Sequence, residues 1–164
     1  MIEGMKLSNE LFLVRRESST GSGPDRFRLF EKVTEGRINI LFLTCSSAGK
    51  RVRTSFCVGA EDRYRMEDLI LSALDPADRV EFVSSVGALS LFPHRFSLKI
   101  LGLAAHAFGR ARLPLYAMTS SISSLTFITD YDKLNGAAAL MEETLGFPPG
   151  HTPYRPTLRV KQIP

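Results

Sequence analysis

Apolar and polar residues along the chain follow two periods, one typical of strands and one typical of helices. Residues 11–14 and 38–45 are almost continuously apolar, and residues 51–58 alternate between apolar and polar. These three stretches are predicted to be strands. Residues 26–36 and 61–74 carry apolar side chains three or four positions apart, which predicts two helices.

The same order of elements recurs in the second half of the chain. The pattern predicts strands at 80–86, 113–121 and 123–129, and helices at 93–112 and 132–145. Matching residues in the two halves support a duplication. Pro24-Asp-Arg-Phe27 recurs 69 positions later as Pro93-His-Arg-Phe96, and Thr44-Cys-Ser46 recurs 75 positions later as Thr119-Ser-Ser121. We infer two copies of a strand–helix–strand–strand–helix unit.

This order predicts an α+β fold with two ferredoxin-like βαββαβ units, each an antiparallel sheet with helices on one face. The predicted domains are residues 6–76 and 77–146. Residues 147–164 are predicted to form a proline-rich linker and a C-terminal strand over 154–163 that closes one of the sheets. Residues 38–43 carry apolar side chains on both faces of the predicted strand. Both faces are therefore expected to be covered, by packing of sheets or units within the chain or across a dimer.

Composition and charge narrow the classes of function. The chain has 164 residues, 44% hydrophobic and 23% charged, which is typical of a globular protein. No apolar run reaches the roughly 20 residues of a membrane span, and the N-terminus has no signal-peptide pattern. We therefore expect a cytoplasmic protein without a membrane partner. The net charge of +4 arises largely from the tail after His151, which argues against a nucleic-acid partner.

RNA binding remains a lesser alternative, because RRM modules share this fold class. Such a module needs exposed aromatic rings on its central strands, for which Phe42 and Phe56 are the candidates. Neither lies in a run of basic and aromatic residues, which disfavours this interpretation.

The cysteines and histidines suggest no catalytic or metal site. In the predicted hairpin, Cys57 lies opposite Ile40 and Cys45 opposite Val52, which places the two sulfurs too far apart for a disulfide. Both are predicted to be buried thiols in a reducing compartment. His94 and His106 are about 18 Å apart along one predicted helix and cannot share an ion. Without a metal set, a cofactor motif or a paired nucleophile and base, we predict no enzyme and no cofactor.

The polar segment from Glu17 to Asp25 is the candidate binding site. It contains Gly21 and Gly23 and leads into a helix for which Pro24 suits the first position. The free N–H groups and the positive dipole end of that helix favour a carboxylate, and Asp25 could hold an amine. A site for a free amino acid needs both a group that binds the carboxylate and a group that binds the amine. An ordinary strand–helix connection remains the alternative.

Both units resemble the tandem ACT domains at the regulatory end of aspartokinases. The resemblance rests on Val80-Glu-Phe-Val-Ser-Ser-Val-Gly87, the segment 113–128, the helix that ends with Met141-Glu-Glu-Thr-Leu145, and Ile38-Asn39-Ile40 in the first unit. It covers residues 8–146, and the kinase domain is absent from this sequence. The family usually has Pro-Gly at the helix start, whereas this chain has Pro24-Asp25.

The resemblance implies a regulatory protein that binds a small amino acid at a contact between two ACT units and acts by ligand-shifted packing. It also implies a homodimer and a regulated enzyme as a possible partner. By position, the site residues carried over are Thr20, Gly21, Ser22, Gly23, Asp25, Asn39 and Ile40. The alternative is a structural or dimerisation module that binds no ligand and regulates a protein partner.

Overall fold

The computed structural model describes residues 2–19, 25–73, 78–93, 97–147 and 153–155, without the side chains of 25–27. These residues form seven strands and four helices. The strands are β1 (Gly4–Leu7), β2 (Leu11–Ser19), β3 (Phe42–Ala48), β4 (Arg51–Gly59), β5 (Arg79–Phe92), β6 (Ala117–Ser120) and β7 (Leu125–Asp130). The helices are α1 (Asp25–Glu35), α2 (Arg63–Ala73), α3 (Leu98–Arg110) and α4 (Leu134–Leu145).

The described residues divide into two compact units, which we call the inner and outer units. The inner unit holds residues 11–19, 25–73 and 78–84. The outer unit holds residues 2–10, 85–93, 97–147 and 153–155, so the inner unit is inserted into the outer one along the chain. These units differ from the contiguous ranges 6–76 and 77–146 expected from the sequence, because the outer unit begins before the inner one.

The inner unit has the strand order β3-β4-β2-β5. Strand β5 is divided between the units, and its residues 79–84 belong to the inner unit. The β2–β4 and β3–β4 pairs are antiparallel. The sequence pattern left this unit without a closing strand, and the first part of β5 takes that place. Phe82 of this segment stacks on Phe12, with 5.6 Å between ring centroids.

The outer unit has the order β6-β7-β5, and β1 pairs with the other side of β5. All of these pairs are antiparallel. The strand that closes this sheet therefore comes from the N-terminus, where the sequence analysis predicted none. Tyr154 makes an isolated parallel bridge to Lys6 at its edge, and the rest of the predicted strand 154–163 beyond Arg155 lies outside the described residues.

Each unit packs two helices against one face of its sheet, as predicted for the ferredoxin-like class. The inner core joins α1 and α2 to the sheet through buried side chains such as Val33, Phe56 and Met66. The outer core does the same for α3 and α4 through Phe108, Phe127 and Met141. These buried apolar residues supply the main driving force for folding of each unit.

The strand registers show how the two units correspond. Phe12 pairs with Val58 in the inner unit, and Gly87 pairs with Thr129 in the outer unit. The first strand is thus repeated at an interval of 75 residues. The interval of 69 inferred from the Pro24 and Pro93 segments is wrong, because α3 begins at Leu98 and not at Pro93. Ser97 caps this helix by accepting a hydrogen bond from the Ile100 amide at 3.3 Å.

The ends of α1 and α3 repeat with the same interval. Arg37 and Arg112 both have positive φ, at 50° and 53°. The same backbone hydrogen bonds close both helix ends: Gly36 N to Lys32 O and Ile38 N to Val33 O, then Ala111 N to Ala107 O and Leu113 N to Phe108 O. Both ends are Schellman-type terminations built on an arginine where glycine is usual.

Candidate ligand site

The structure describes part of the predicted seven-residue site. Thr20, Gly21, Ser22 and Gly23 lie outside the described residues, and Asp25 is the first residue of α1 without a described side chain. Asn39 and Ile40 follow that helix and are half-buried, with Ile40 packed against the inner core.

Asp25 and Asn39 do not come together within one inner unit. Asp25 opens α1, which is 11 residues long, and Asn39 follows its other end. The helix alone separates the two by about 15 Å. The strands agree with this separation, because β2 ends at the pair Ser19–Arg51, whereas Leu41 donates to the carbonyl of Cys57 near the opposite end.

Strand β3 is an edge of the inner sheet. Leu41 and Leu43 are 59% and 48% exposed in the single chain, so packing within the described part of the chain does not cover these two residues, and cover by a second copy stays a prediction. Residues 41–48 contain neither a charged residue nor a proline. Edge strands are commonly protected by such residues. No strand of the described residues pairs with this edge.

A small polar pocket lies at the end of β2. It has a volume of about 220 Å³ and is lined by Glu17, Ser18, Ser19, Arg51 and Arg79, all of the inner unit. Three of these residues end β2 and directly precede the undescribed residues 20–24. The candidate segment expected from the sequence begins at Glu17 and does not include the arginines. The alternating strand predicted at 51–58 contained Arg51, but no sequence signal placed it or Arg79 beside Glu17.

Glu17 is held between two arginines at the pocket wall. Its Oε1 accepts from Nη1 of Arg51 at 2.8 Å, and its Oε2 accepts from Nε of Arg53 at 2.9 Å. The hydrogen bond from Arg53 and the charges of both arginines hold the pKa of Glu17 below its ordinary value of 4.5. The positive charge of Arg51 and Arg53 is therefore partly neutralised by this carboxylate.

A second ion pair fixes the start of β5 to β2. Arg16 and Asp78 are both buried, at 8% and 3% exposure, and Nε of Arg16 donates to Oδ2 of Asp78 at 2.7 Å. A neighbouring pair, Arg15 with Glu81, is exposed on the same two strands. The buried pair positions Arg79, the next residue after Asp78, at the pocket.

The cysteines, whose predicted register was two residues off, do not form a disulfide. Cys57 pairs with Phe42 and Cys45 with Thr54. Cys57 is buried, and burial raises the pKa of its thiol to about 12. Cys45 is exposed, contrary to the prediction, because it lies on the edge strand.

The remaining candidate chemistry is not supported by the described residues. Phe42 and Phe56 are both buried, which leaves neither ring accessible for stacking on a base. Within the described part of the chain, no group of three or more His, Cys, Asp and Glu could hold a metal ion. Among the helices of the described residues, none is long and apolar enough to cross a membrane.

No protein-family model and no curated protein match the sequence. Solved structures do match. The regulatory subunit of aspartate kinase from Thermus flavus superposes with a TM-score of 0.77 at 11% identity, covering 88% of this chain and 98% of that chain. The structure of aspartokinase alpha and beta subunits gives a TM-score of 0.78 at 9% identity, covering 90% and 100%. The chain has the fold of an aspartokinase regulatory domain.

A third match shows the same fold as part of a larger enzyme. Escherichia coli aspartokinase III in complex with lysine and aspartate superposes with a TM-score of 0.65 at 13% identity. The match covers 88% of this chain but 33% of that chain. At these identities the likeness concerns the fold and not the ligand or its contacts.

Proposed function

We propose that the protein is a non-enzymatic regulatory module that binds a small amino acid and responds by a change in the packing of its ACT units. The observation that supports this most is the fold, which is shared with regulatory subunits of aspartate kinase. One structural neighbour was solved with lysine and aspartate. The ligand class is therefore the first to test for this chain.

We place the effector between the inner units of two copies. Asp25 and Asn39 are separated by the length of α1 within one chain, so they cannot hold one small ligand together. Antiparallel pairing of two β3 edge strands would reverse one strand relative to the other. The start of β3 in one copy, next to Asn39, would then approach the ends of β2 and β3 in the other copy, which meet at Arg51.

The open β3 edge supports a second copy of this chain as the partner. Two identical uncharged strands can pair isologously, and the exposed Leu41 and Leu43 would be covered by the contact. Effector bound across this contact would favour the paired state, because it binds only where both copies contribute. The effect on a regulated enzyme would follow from this shift in packing.

Thermal unfolding with each of the twenty amino acids at millimolar concentration tests the ligand. A ligand at one hundred times its dissociation constant adds about 2.7 kcal/mol of stability. In Asn39→Ala, the amino acid should no longer raise the unfolding midpoint above that of the same variant without ligand. In the control Asn9→Ala, at an exposed position of the outer unit, the amino acid should still raise it. If no amino acid raises the midpoint, the structural module without a ligand is the better account.

Sedimentation tests the partner separately. Leu43→Lys places a charge on the β3 edge and should convert the dimer to a monomer. Leu71→Lys is the matched control, because Leu71 is also exposed in the inner unit but lies on α2. A dimer that persists in Leu43→Lys would exclude this edge as the contact.

A further inference from the structure

We propose that the pocket at the end of β2 is an oxyanion site, in which Arg51 and Arg79 hold a carboxylate or phosphate group of a small ligand. This site lies within one inner unit and needs neither the amino-acid effector nor the second copy. It is therefore a separate proposal from the one above, although both involve the same end of the sheet.

The charges around the pocket favour an anion. Two arginines line it, and among the described residues of its wall Glu17 is the one acid. Both oxygens of Glu17 already accept hydrogen bonds from Arg51 and Arg53. Glu17 thus orients the arginines and offers little to a cation, and the three arginines with one carboxylate leave an excess of positive charge.

Arg79 is the residue best suited to bind the ligand. It is exposed, and among the described residues the structure records no ion-pair partner for it. A guanidinium offers several N–H donors in a planar fork that fits two oxygens of a carboxylate or phosphate. Its position is fixed through its neighbour Asp78, which is buried against Arg16.

The size of the pocket limits the ligand to a small molecule. A volume of about 220 Å³ is below the range of roughly 300–1,000 Å³ that is usual for drug-sized ligands. Ser18 and Ser19 also line the pocket, and because side chains alternate along a strand, Ser19 is the one that lies on the same face of β2 as Glu17. A dicarboxylate or a phosphate ion fits this chemistry.

Calorimetric titration with sodium phosphate and with sodium succinate, against sodium chloride at equal ionic strength, tests the site. We expect saturable binding of at least one of the first two, weakened about tenfold or more in Arg79→Gln, as for loss of a charged hydrogen-bond donor. Arg110→Gln, with the same charge change on the exposed end of α3 in the outer unit, should bind like the wild type.

The comparison of the two probes identifies the group. Binding of phosphate alone assigns a phosphoryl group, binding of succinate alone assigns a dicarboxylate, and binding of both assigns a general oxyanion site. Absence of saturable binding for both overturns the proposal. Equal weakening by Arg79→Gln and Arg110→Gln would overturn it too, because it would reveal non-specific attraction to net charge. Failure of the amino-acid screen would leave these outcomes unaffected.

Discussion

The inner and outer units share one backbone plan but differ in chemistry at two equivalent positions, one near each end of the sheet. The interval of 75 residues places Phe92 of the outer unit where the inner unit has Glu17, and Pro114 where it has Asn39. Both inner residues can bind a polar ligand, and neither outer residue can do so through its side chain. The two units thus resemble each other in their packing and differ where a site would be.

The β3–β4 hairpin of the inner unit is longer than the β6–β7 hairpin of the outer unit. The outer hairpin ends at the pair Ser120–Leu125, which corresponds to Cys45–Thr54 of the inner hairpin. The inner hairpin continues for three more pairs as far as Ala48–Arg51. Arg51 and Arg53 lie in this extension, so the outer unit has no strand position for them. The inner hairpin is thus four residues longer than the outer one, and this extension contributes Arg51 to the charged pocket.

The largest expected effect on stability tests the apolar core, which the two units share. Phe56 and Phe127 occupy equivalent positions, and both are fully buried. Each change to alanine should lower the free energy of unfolding by about 3–5 kcal/mol, because it leaves a cavity in a packed core. Urea unfolding measures both losses. A loss below about 1 kcal/mol at one site would show that the two cores are not equivalent.

The next effect tests the junction between β2 and β5 in the inner unit. Asp78→Ala leaves the Arg16 charge buried without its partner and should cost about 3–5 kcal/mol. Glu81→Ala is the control on the same strand, since its pair with Arg15 is exposed and contributes about 1 kcal/mol or less. Equal losses in the two variants, measured by urea unfolding, would contradict the role given to burial.

A smaller effect tests the matched helix ends. Arg37→Gly and Arg112→Gly should each raise the stability by about 0.5–1 kcal/mol, because glycine adopts positive φ without the steric cost borne by arginine. Thermal unfolding measures the gain. The alanine variants at both positions control for loss of the side chain, and an equal gain in them would show that φ is not the cause.

The smallest effect concerns Glu17. Its pKa is lowered in the folded state, so its contribution to stability is present above the unfolded pKa near 4.5 and is lost as the pH falls through the folded value. The stability difference between the wild type and Glu17→Gln, from urea unfolding, should therefore be present at pH 7 and vanish in acid. A difference independent of pH would indicate that the ion pairs with Arg51 and Arg53 do not matter.

The fold was largely predictable from residue patterns. Apolar runs located strands in 11–14 and 38–45, alternation located one in 51–58, and helical spacing located α2 and α4, because burial imposes these patterns. The closing strands were not found. One is the first part of β5, which the pattern assigned wholly to the second unit, and the other is the short β1 at the N-terminus. Which strand completes which sheet depends on contacts between distant segments.

Local signals also misplaced particular residues. The resemblance of Pro93-His-Arg-Phe96 to Pro24-Asp-Arg-Phe27 suggested a helix start, but Ser97 provides the cap for α3. Cys45 was expected to be buried because its strand is apolar, and the edge position of β3 exposes it. For the candidate site, the sequence indicated the loop and Asn39 but not that α1 separates them, nor that Arg79 reaches the pocket from β5.

The claim that one effector site draws on two copies is tested most directly by mixing variants. Asp25→Ala and Asn39→Ala chains, each expected to bind no effector alone, are mixed in equal amounts under exchange conditions. The amino acid with the largest thermal shift for the wild type is then titrated. If each site uses Asp25 of one copy and Asn39 of the other, random mixed dimers restore about one quarter of the sites. If exchange occurs and no binding returns, both residues act within one copy or not at all, and the account is contradicted.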